Sequence, residues 1–139
     1  DVASRSAGGK VLMVSSLDAA HPAEHIIDGD TGSYWLSTGL YPQEILVALG
    51  CRSAVSSVQL ASTSVKRVRI EGSEEDAPVN FHMLAEGVLQ EAPGELQVER
   101  MPCHAMDGGG RTSYVRVVIL SGWHDFCSVH ELRVEAQPG

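Results

Sequence analysis

The sequence predicts an all-β fold, a jelly-roll sandwich, and three observations lead to this prediction. Short segments alternate between apolar and polar residues with a period of two, which is typical of strands with one buried face. Turn-forming residues separate these segments about every ten positions, as in antiparallel sandwiches. Roughly eight such segments fall within the 139 residues, and this is the strand number of a jelly roll.

The length and composition of the chain predict one domain with a short N-terminal extension. At 139 residues and 43% hydrophobic content, the chain has ordinary globular size and composition. Residues 1–10 are small and polar, so we expect a loose lead-in there. A single sandwich domain is expected over residues 11–136, beginning with a strand at residues 11–14. One short helical turn is expected within residues 18–27.

Four further segments carry their apolar residues on one face and their polar residues on the other. They are residues 44–49, 55–60, 65–71 and 129–134. The residues expected to face the core are Ile45, Val47, Leu49, Val58, Leu60, Val68, Ile70, Leu132 and Val134. Such alternation predicts strands that bury one side against a second sheet.

The remaining predicted strands are residues 79–85, 95–101 and 114–120. Residues 114–120 are apolar on both faces, which is typical of a central strand. Residues 71–78 are expected to form an acidic surface loop, and the three glycines at residues 108–110 are expected to form a flexible hairpin connection.

The charge of the chain limits the partners that it can take. Lys and Arg number 10 against 18 Asp and Glu, so the formal net charge is −8. Such a chain repels nucleic-acid backbones and anionic membrane surfaces, and it suits a cationic partner or a bound metal ion. No apolar run approaches the ~20 residues that a membrane-spanning helix needs.

The cysteines and the first residues indicate a reducing compartment. Cys51, Cys103 and Cys127 are odd in number and do not make the dense disulfide framework of a small secreted domain. The first ten residues lack the apolar core of a secretory signal. We therefore expect the protein to work inside the cell.

The most informative motif is the segment at residues 26–35, with the sequence IIDGDTGSYW. Asp28 and Asp30 flank a glycine, and the Ser33 hydroxyl follows, so a tight loop can direct several oxygens toward one point. Ca²⁺ takes about 6–8 oxygen ligands of this kind. The alternative is an Asx-type turn without an ion, which the spacing alone favours. An EF-hand is excluded because the twelfth position counted from Asp28 is Gly39 rather than Glu.

Two segments together resemble a known domain family. The IIDGDTGSYW segment, followed late in the chain by the Ser-Val-His-Glu-Leu-Arg-Val run at residues 128–134, resembles the discoidin, or coagulation factor 5/8 C-type, domain. The resemblance implies a galactose-binding-like jelly roll, with Trp35 in the core and a structural Ca²⁺ that links the early loop to the last strand. The ligands that it implies are Asp28, Asp30, Ser33, Glu131 and the main chains of His25 and His130.

A narrower resemblance points to a role in the cilium. The segments at residues 21–30, 34–35, 41–44 and 126–130 are similar to those of discoidin-type subunits of intraflagellar transport complex B. This resemblance implies a non-catalytic adaptor, in the cytoplasm and cilium, that pairs stably with a Rab-like small GTPase, intraflagellar transport protein 27. Interface centres favour aromatic side chains, so the candidate docking residues are Tyr34, Tyr41, Trp123 and Phe126.

A carbohydrate-binding module on the same fold is the alternative function. Such a module needs exposed aromatic rings for the apolar faces of a sugar. Trp123 and Phe126 have the required side chains, and packing of these rings into the core explains them equally well.

Residues 124–130 give weaker support to a metal site or a catalytic site than to the functions above. His124, Cys127 and His130 recur every three residues, but on a strand they do not share a face and they lack a CxxC-type zinc spacing. A hydrolytic triad from Ser128, His124 and Asp125 is rejected because no GxSxG motif is present and adjacent side chains on a strand diverge. The glycines at residues 108–110 lack a following Lys-Ser/Thr and do not form a phosphate loop.

Overall fold

The computed structural model describes residues 1–16, 18, 20–30, 32–38, 40–103 and 111–136. Over these ranges the chain forms two short 3₁₀ helices, Arg5–Ala7 and Ala23–Ile27, and nine strands. The strands are β1 Lys10–Val14, β2 Trp35–Leu36, β3 Gln43–Ser53, β4 Val55–Thr63, β5 Val65–Ser73, β6 His82–Val88, β7 Gln97–Pro102, β8 Thr112–Gly122 and β9 Ser128–Ala136.

The strands build two antiparallel sheets, which confirms the predicted jelly-roll sandwich. The five-stranded sheet has the order β1-β3-β8-β5-β6, and the four-stranded sheet has the order β2-β9-β4-β7. All the strand pairs between neighbours are antiparallel. Strands distant in sequence are therefore neighbours, and β9 pairs with both β2 and β4.

The core lies between the two sheets and consists of the residues that the alternation predicts. Each of the nine residues expected to face inward is buried. The strand predicted to be central, β8, occupies the middle of the five-stranded sheet and buries Val115, Val117 and Ile119 completely. Trp35 is also fully buried, and its ring nitrogen donates a hydrogen bond to the Ser16 carbonyl at 2.9 Å.

Several element boundaries differ from the prediction because strand pairing extends or ends them. The two-residue strand β2 was not expected, and it exists through its pairing with β9. β5 continues to Ser73 because it pairs with β8, so Gly72 and Ser73 belong to the strand rather than to the expected acidic loop, and Glu71 lies in the strand as expected. There Glu71 accepts a hydrogen bond from Arg116 Nε at 2.7 Å. The glycines at residues 108–110 lie outside the described residues.

The N-terminal segment is anchored to the sandwich through Val2 and Ala3, whereas a loose lead-in was expected. Ala3 is completely buried, and Val2 bridges two strands through its main chain. Its nitrogen donates to Val134 O in β9, and its carbonyl accepts from Gly50 N in β3. A Cβ atom on Gly50 would lie 1.9 Å from the Ala7 carbonyl, so only glycine permits this close approach. The segment is held in place because the main-chain groups of Val2 form hydrogen bonds with strands of both sheets.

The expected helical turn is the 3₁₀ helix Ala23–Ile27, which follows Pro22 at its N-cap. This helix buries Ile26 and Ile27 and packs against β9, β1 and β2. It thereby fixes the start of the Asp28 loop against the last strand. Among the residues that the structure describes, no helix has the length and apolar character needed to cross a membrane.

Candidate functional site

The Asp28 loop closes on itself through hydrogen bonds to its own acidic side chains. Asp28 Oδ1 accepts from the Asp30 main-chain nitrogen at 2.9 Å, and Asp28 Oδ2 accepts from the Ser33 hydroxyl at 2.7 Å. Asp30 Oδ1 accepts from the Gly32 nitrogen at 2.8 Å. Gly29 has a φ of +81°, which the turn requires and which glycine adopts without strain. The loop is thus an Asx-type turn, in which both oxygens of Asp28 and one oxygen of Asp30 accept hydrogen bonds from the loop itself.

Glu131, the fourth expected side-chain ligand, lies on β9 opposite Ala61 of β4. Its Oε1 atom is 3.3 Å from Arg133 Nε, so the carboxylate is engaged along its own strand. Within the described ranges, no three or more His, Cys, Asp or Glu side chains form a group able to hold a metal ion. Calcium binding through Asp28, Asp30, Ser33, Glu131 and the main chains of His25 and His130 stays a prediction.

The two histidines expected to offer main-chain oxygens, His25 and His130, both contact Tyr34. The His25 ring nitrogen Nδ1 is 3.3 Å from the Tyr34 carbonyl. His130 is the extra residue of a β-bulge, because the register passes from Ala61↔Glu131 to Ser62↔Val129. A β-bulge changes the direction of the main chain and of the side chains around it. The bulge at His130 lies beside Tyr34, which follows the Asp28 loop in the sequence.

Tyr34 is held in a stack of three rings. Its ring lies 4.2 Å from the His21 ring and 4.7 Å from the His130 ring, measured between centroids. Both faces of the ring are therefore covered by this chain, and only its edge faces solvent. The Tyr34 ring thus joins the segment at His21 to β9, and its faces are not available as a docking surface.

Tyr41 and Trp123 are also tied inward, at the end of the sandwich where β8 finishes. The Tyr41 hydroxyl donates to the His124 carbonyl at 2.9 Å. The Trp123 ring nitrogen donates to the Leu89 carbonyl at 3.0 Å, and the Lys66 ammonium lies 4.8 Å from the centre of the ring. Both rings therefore hold loops together in the free chain.

Phe126 is the one candidate docking residue with a largely free ring, since 57% of its surface is exposed. Leu40, from the connection before β3, is 89% exposed. Leu40 was not predicted as a candidate, since a single leucine beside a glycine forms no recognisable sequence pattern. Exposed apolar side chains of this size are worth testing as contact points.

Residues 124–130 assemble neither a zinc site nor the rejected triad. His124 Nε2 lies 3.3 Å from Glu91 Oε1, and Cys127 is buried under Ser37 and Tyr41. The Ser128 hydroxyl contacts His130 Nε2 at 3.0 Å rather than His124. Ser128 is also buried, so its hydroxyl is not exposed to a substrate.

Burial changes the acidity of three groups. It raises the pKa of the Cys103 thiol from 9.0 to about 11. It also raises the pKa of the Cys127 thiol, against the opposing effect of hydrogen bonds with Ser37 and Tyr41. The pKa of Tyr41 rises mainly through burial and further through the neighbouring Cys127 and Asp125. All three groups are thus neutral at physiological pH, and none is an activated nucleophile.

The chain is similar to known proteins along almost its whole length. The F5/8 type C domain model matches residues 12–132. The "Intraflagellar transport protein 25 homolog" of Homo sapiens is 33% identical over 135 residues, which are 97% of this chain and 91% of that protein. "Intraflagellar transport protein 25" of Chlamydomonas reinhardtii is 30% identical over 134 residues, covering 96% and 68%.

Solved structures agree on the fold. A family 32 carbohydrate-binding module from Clostridium perfringens, in complex with galactose, superimposes with a TM-score of 0.73. It is 20% identical, and the match covers 91% of this chain and 92% of that one, so it shows the shared architecture alone. The chain belongs to the F5/8 type C domain family and, within it, to the intraflagellar transport protein 25 family.

Proposed function

We propose that the chain is a non-catalytic adaptor subunit of intraflagellar transport complex B. In this role it binds a Rab-like small GTPase, intraflagellar transport protein 27, as a stable heterodimer in the cytoplasm and cilium. The observation that carries the proposal is the near-full-length match to the human intraflagellar transport protein 25 homolog. Because the match spans 97% of the chain, almost the whole sandwich corresponds to a member of that family.

The chemistry of the surface supports an adaptor over an enzyme. Catalysis needs a nucleophile or base that a substrate can reach. Ser128, which contacts His130, is buried, and the thiols of Cys103 and Cys127 hold their protons at neutral pH. A sandwich with a densely packed core instead presents rigid surfaces, which lose little entropy on docking.

No step of this proposal depends on an ion. The loop that the family resemblance assigns to calcium is closed by the hydrogen bonds of Asp28 and Asp30. The proposed docking function therefore does not require a bound ion. An ion bound near Asp28 would add rigidity to a loop that already has a defined shape.

The test is to mix the purified chain with the purified GTPase and measure mass and affinity. Size-exclusion chromatography with light scattering is expected to give one peak of 1:1 stoichiometry, and calorimetry a dissociation constant below about 1 μM for a stable pair. The GTPase is measured with GDP and with a non-hydrolysable GTP analogue. Separate elution of the two proteins in both nucleotide states would contradict the proposal.

Carbohydrate binding is tested in parallel because similar folds bind sugars. Galactose is titrated into the isotope-labelled chain, and shifts of the Phe126 and His124 amide signals are followed. Fold alone does not decide between these roles. Saturable shifts at millimolar galactose, together with no GTPase binding, would favour the carbohydrate-binding alternative.

A further inference from the structure

The outer face of the five-stranded sheet has an apolar centre that is separate from the core of the sandwich. Leu46 and Val118 are only 9% and 7% exposed, yet neither belongs to the core cluster between the two sheets. Each lies between two core residues of its own strand, so its side chain points to the outer face. Neighbouring side chains of the outer face therefore cover Leu46 and Val118.

Two exposed methionines lie at the edges of this face, in one row across the five strands. In order from β1 to β6, the row consists of Met13, Leu46, Arg116, Glu71 and Met83. The two methionines are 43% and 49% exposed. Methionine side chains are flexible and adapt readily to a second apolar surface. The face therefore offers an apolar contact group on each of its two edge strands.

The next row along the strands carries one charge of each sign. Glu44 of β3 and Arg69 of β5 both pair with Val118 of β8, so they lie on opposite sides of that residue. The Arg69 side chain is 39% exposed, and its ion-pair partner Glu86 is 4.0 Å away. Glu44 forms no ion pair with another residue that the structure describes. Both charges are therefore available for a closer partner.

The order of the strands makes this face complementary to itself. β8 is the central strand, with β3 and β1 on one side and β5 and β6 on the other. In a symmetric dimer whose two-fold axis runs along β8, each row meets the same row of the second copy, and β3 lies opposite β5. Glu44 then faces Arg69 of the second copy, and the reciprocal contact forms as well. Met13 likewise faces Met83, and the two Val118 side chains meet at the axis.

Arg116 is the charged residue of β8, and its interactions keep it away from the axis. Its Nε atom donates to Glu71 at 2.7 Å, so its charge is balanced within its own copy. Its guanidinium lies 4.0 Å from the centre of the ring of Phe81, the residue just before β6. The side chain therefore extends from β8 toward β6, and the two Arg116 side chains of a dimer do not meet at the centre.

The size of the face determines how strong such an association is. Five strands about 4.8 Å apart, overlapping over about six residues of about 3.3 Å each, cover about 500 Å² on one copy. Two copies together bury about 1,000 Å², which is close to the lower limit for a specific interface. We therefore expect a weak dimer, with a dissociation constant of about 10–100 μM.

We propose that the outer face of the five-stranded sheet binds the same face of a second copy of this chain, in a symmetric dimer with its axis along β8. The reciprocal positions of Glu44 and Arg69 and the apolar centre at Leu46 and Val118 carry the inference. It goes beyond the proposed function, because it concerns the chain without the GTPase. Neither proposal depends on the other.

The experiment measures self-association of the full chain by sedimentation equilibrium between about 5 μM and 1 mM. The test variants are Glu44→Arg and Arg69→Glu, each measured alone and in an equimolar mixture of the two. Arg100→Glu is the matched control, because Arg100 is an exposed strand arginine on β7 of the other sheet. Thermal unfolding of each variant alone verifies that it is folded.

The native mass is expected to rise with concentration from that of one chain toward that of two. Glu44→Arg and Arg69→Glu are each expected to weaken the dimer at least about tenfold, because each alone places like charges at both reciprocal contacts. The equimolar mixture is expected to return to within about threefold of the native dissociation constant, because a mixed dimer has opposite charges at both contacts. Arg100→Glu is expected to change it less than about twofold.

A constant mass of one chain up to 1 mM would overturn the dimer. A native dimer that neither Glu44→Arg nor Arg69→Glu weakens would overturn the assigned face. Two weakened variants that do not recover on mixing would overturn the reciprocal contact and with it the axis along β8. All these results leave the GTPase proposal standing, because the GTPase is not part of the experiment.

Discussion

The Tyr41 hydroxyl donates a hydrogen bond to the His124 main-chain oxygen at 2.9 Å, across 83 residues of sequence. The contact joins the connection before β3 to the loop after β8. Gly122 lies directly beneath it, where a Cβ atom would come within 2.1 Å of the Tyr41 hydroxyl oxygen. The aromatic ring that the sequence offers as a docking residue is thus part of the framework at this end of the sandwich.

Tyr41→Phe is expected to lower the free energy of unfolding by about 0.5–1.5 kcal/mol, the usual contribution of one hydrogen bond. Urea denaturation followed by tryptophan fluorescence measures the change. Tyr34→Phe is the control, because the Tyr34 hydroxyl has no hydrogen bond to a described residue, and it is expected to be near neutral. Equal stability of the Tyr41 variant and the native chain would show that the His124 carbonyl binds water equally well.

Alkaline pH is expected to destabilise the fold through Cys103. Burial raises the pKa of this thiol from 9.0 to about 11, so the folded chain holds the proton that the unfolded chain releases. Folding stability is therefore fully present below about pH 9 and is lost as the pH rises toward 11. Cys127 and Tyr41, whose pKa values burial also raises, act in the same direction.

Cys103→Ala is expected to flatten the loss of stability between about pH 9 and 11. Urea unfolding at half-unit pH intervals measures the slope for the native chain and the variant. Cys51→Ala, at an exposed thiol, is the control and is expected to keep the native slope. An unchanged slope in the Cys103 variant would assign the alkaline loss to other groups.

The three cysteines are expected to react with a thiol reagent in a fixed order. Cys51 is exposed, Cys103 is half-buried with a raised pKa, and Cys127 is almost completely buried. Because the thiolate is the reactive form, Cys51 is expected to be alkylated by iodoacetamide first at pH 7.5. Peptide mass spectrometry over time gives the order, and the urea-unfolded chain, where all three react, is the reference. Early modification of Cys127 would reveal an opening of the loop over it.

Asp28→Ala is expected to cost about 1–2 kcal/mol of folding stability with EGTA present, because it removes the acceptors of the Asp30 nitrogen and the Ser33 hydroxyl. Asp76→Ala is the control, since the Asp76 side chain is exposed and its carboxylate forms no ion pair with another described residue. Thermal and urea unfolding measure both variants. A stability equal to that of the native chain would mean that the loop needs neither hydrogen bond.

Calcium is expected, from the family resemblance, to raise the melting temperature of the native chain relative to EGTA. Asp28→Asn, which keeps the shape of the side chain and removes its charge, is expected to abolish the rise, and Mg²⁺ is expected to produce less of it, because it tolerates irregular oxygen geometry poorly. Differential scanning calorimetry at 1 mM of each ion is a direct measurement. Identical melting temperatures in Ca²⁺ and EGTA would leave the loop as an ion-free turn.

The strand pattern was predictable because burial of alternate residues is a local property. Ile45, Val47 and Leu49 face the core, as the period of two predicts. The apolar residues on both faces of β8 likewise predicted its central position. The two-residue strand β2 carries no such pattern, since its existence depends on pairing with Val129 and Ser128 almost a hundred positions later. The packing of Ala3 and Val2 was equally unpredictable from composition, because their partners lie in β9 and β3.

The candidate site, like the fold, was predictable from the sequence only where its contacts are local. The sequence identified the Asp28 turn correctly as a tight acidic loop, because its hydrogen bonds run between residues two to five apart. It did not reveal that Glu131 pairs with Arg133, or that Tyr34 lies between His21 and His130. Nor did it reveal the ring of Phe81 beneath Arg116, since no local spacing relates the two residues.

The sequence by itself determined the sandwich class, the core-facing residues and the family, because these follow from short-range periodicity and from motifs read along the chain. Only the tertiary structure decided which aromatic rings are occupied and which surface is open. Those properties depend on contacts such as Trp123 with Leu89, and Arg116 with Glu71, whose partners are 34 and 45 positions apart. Contacts between residues distant in sequence determine which side chains remain exposed, and only exposed side chains can contact a docking partner.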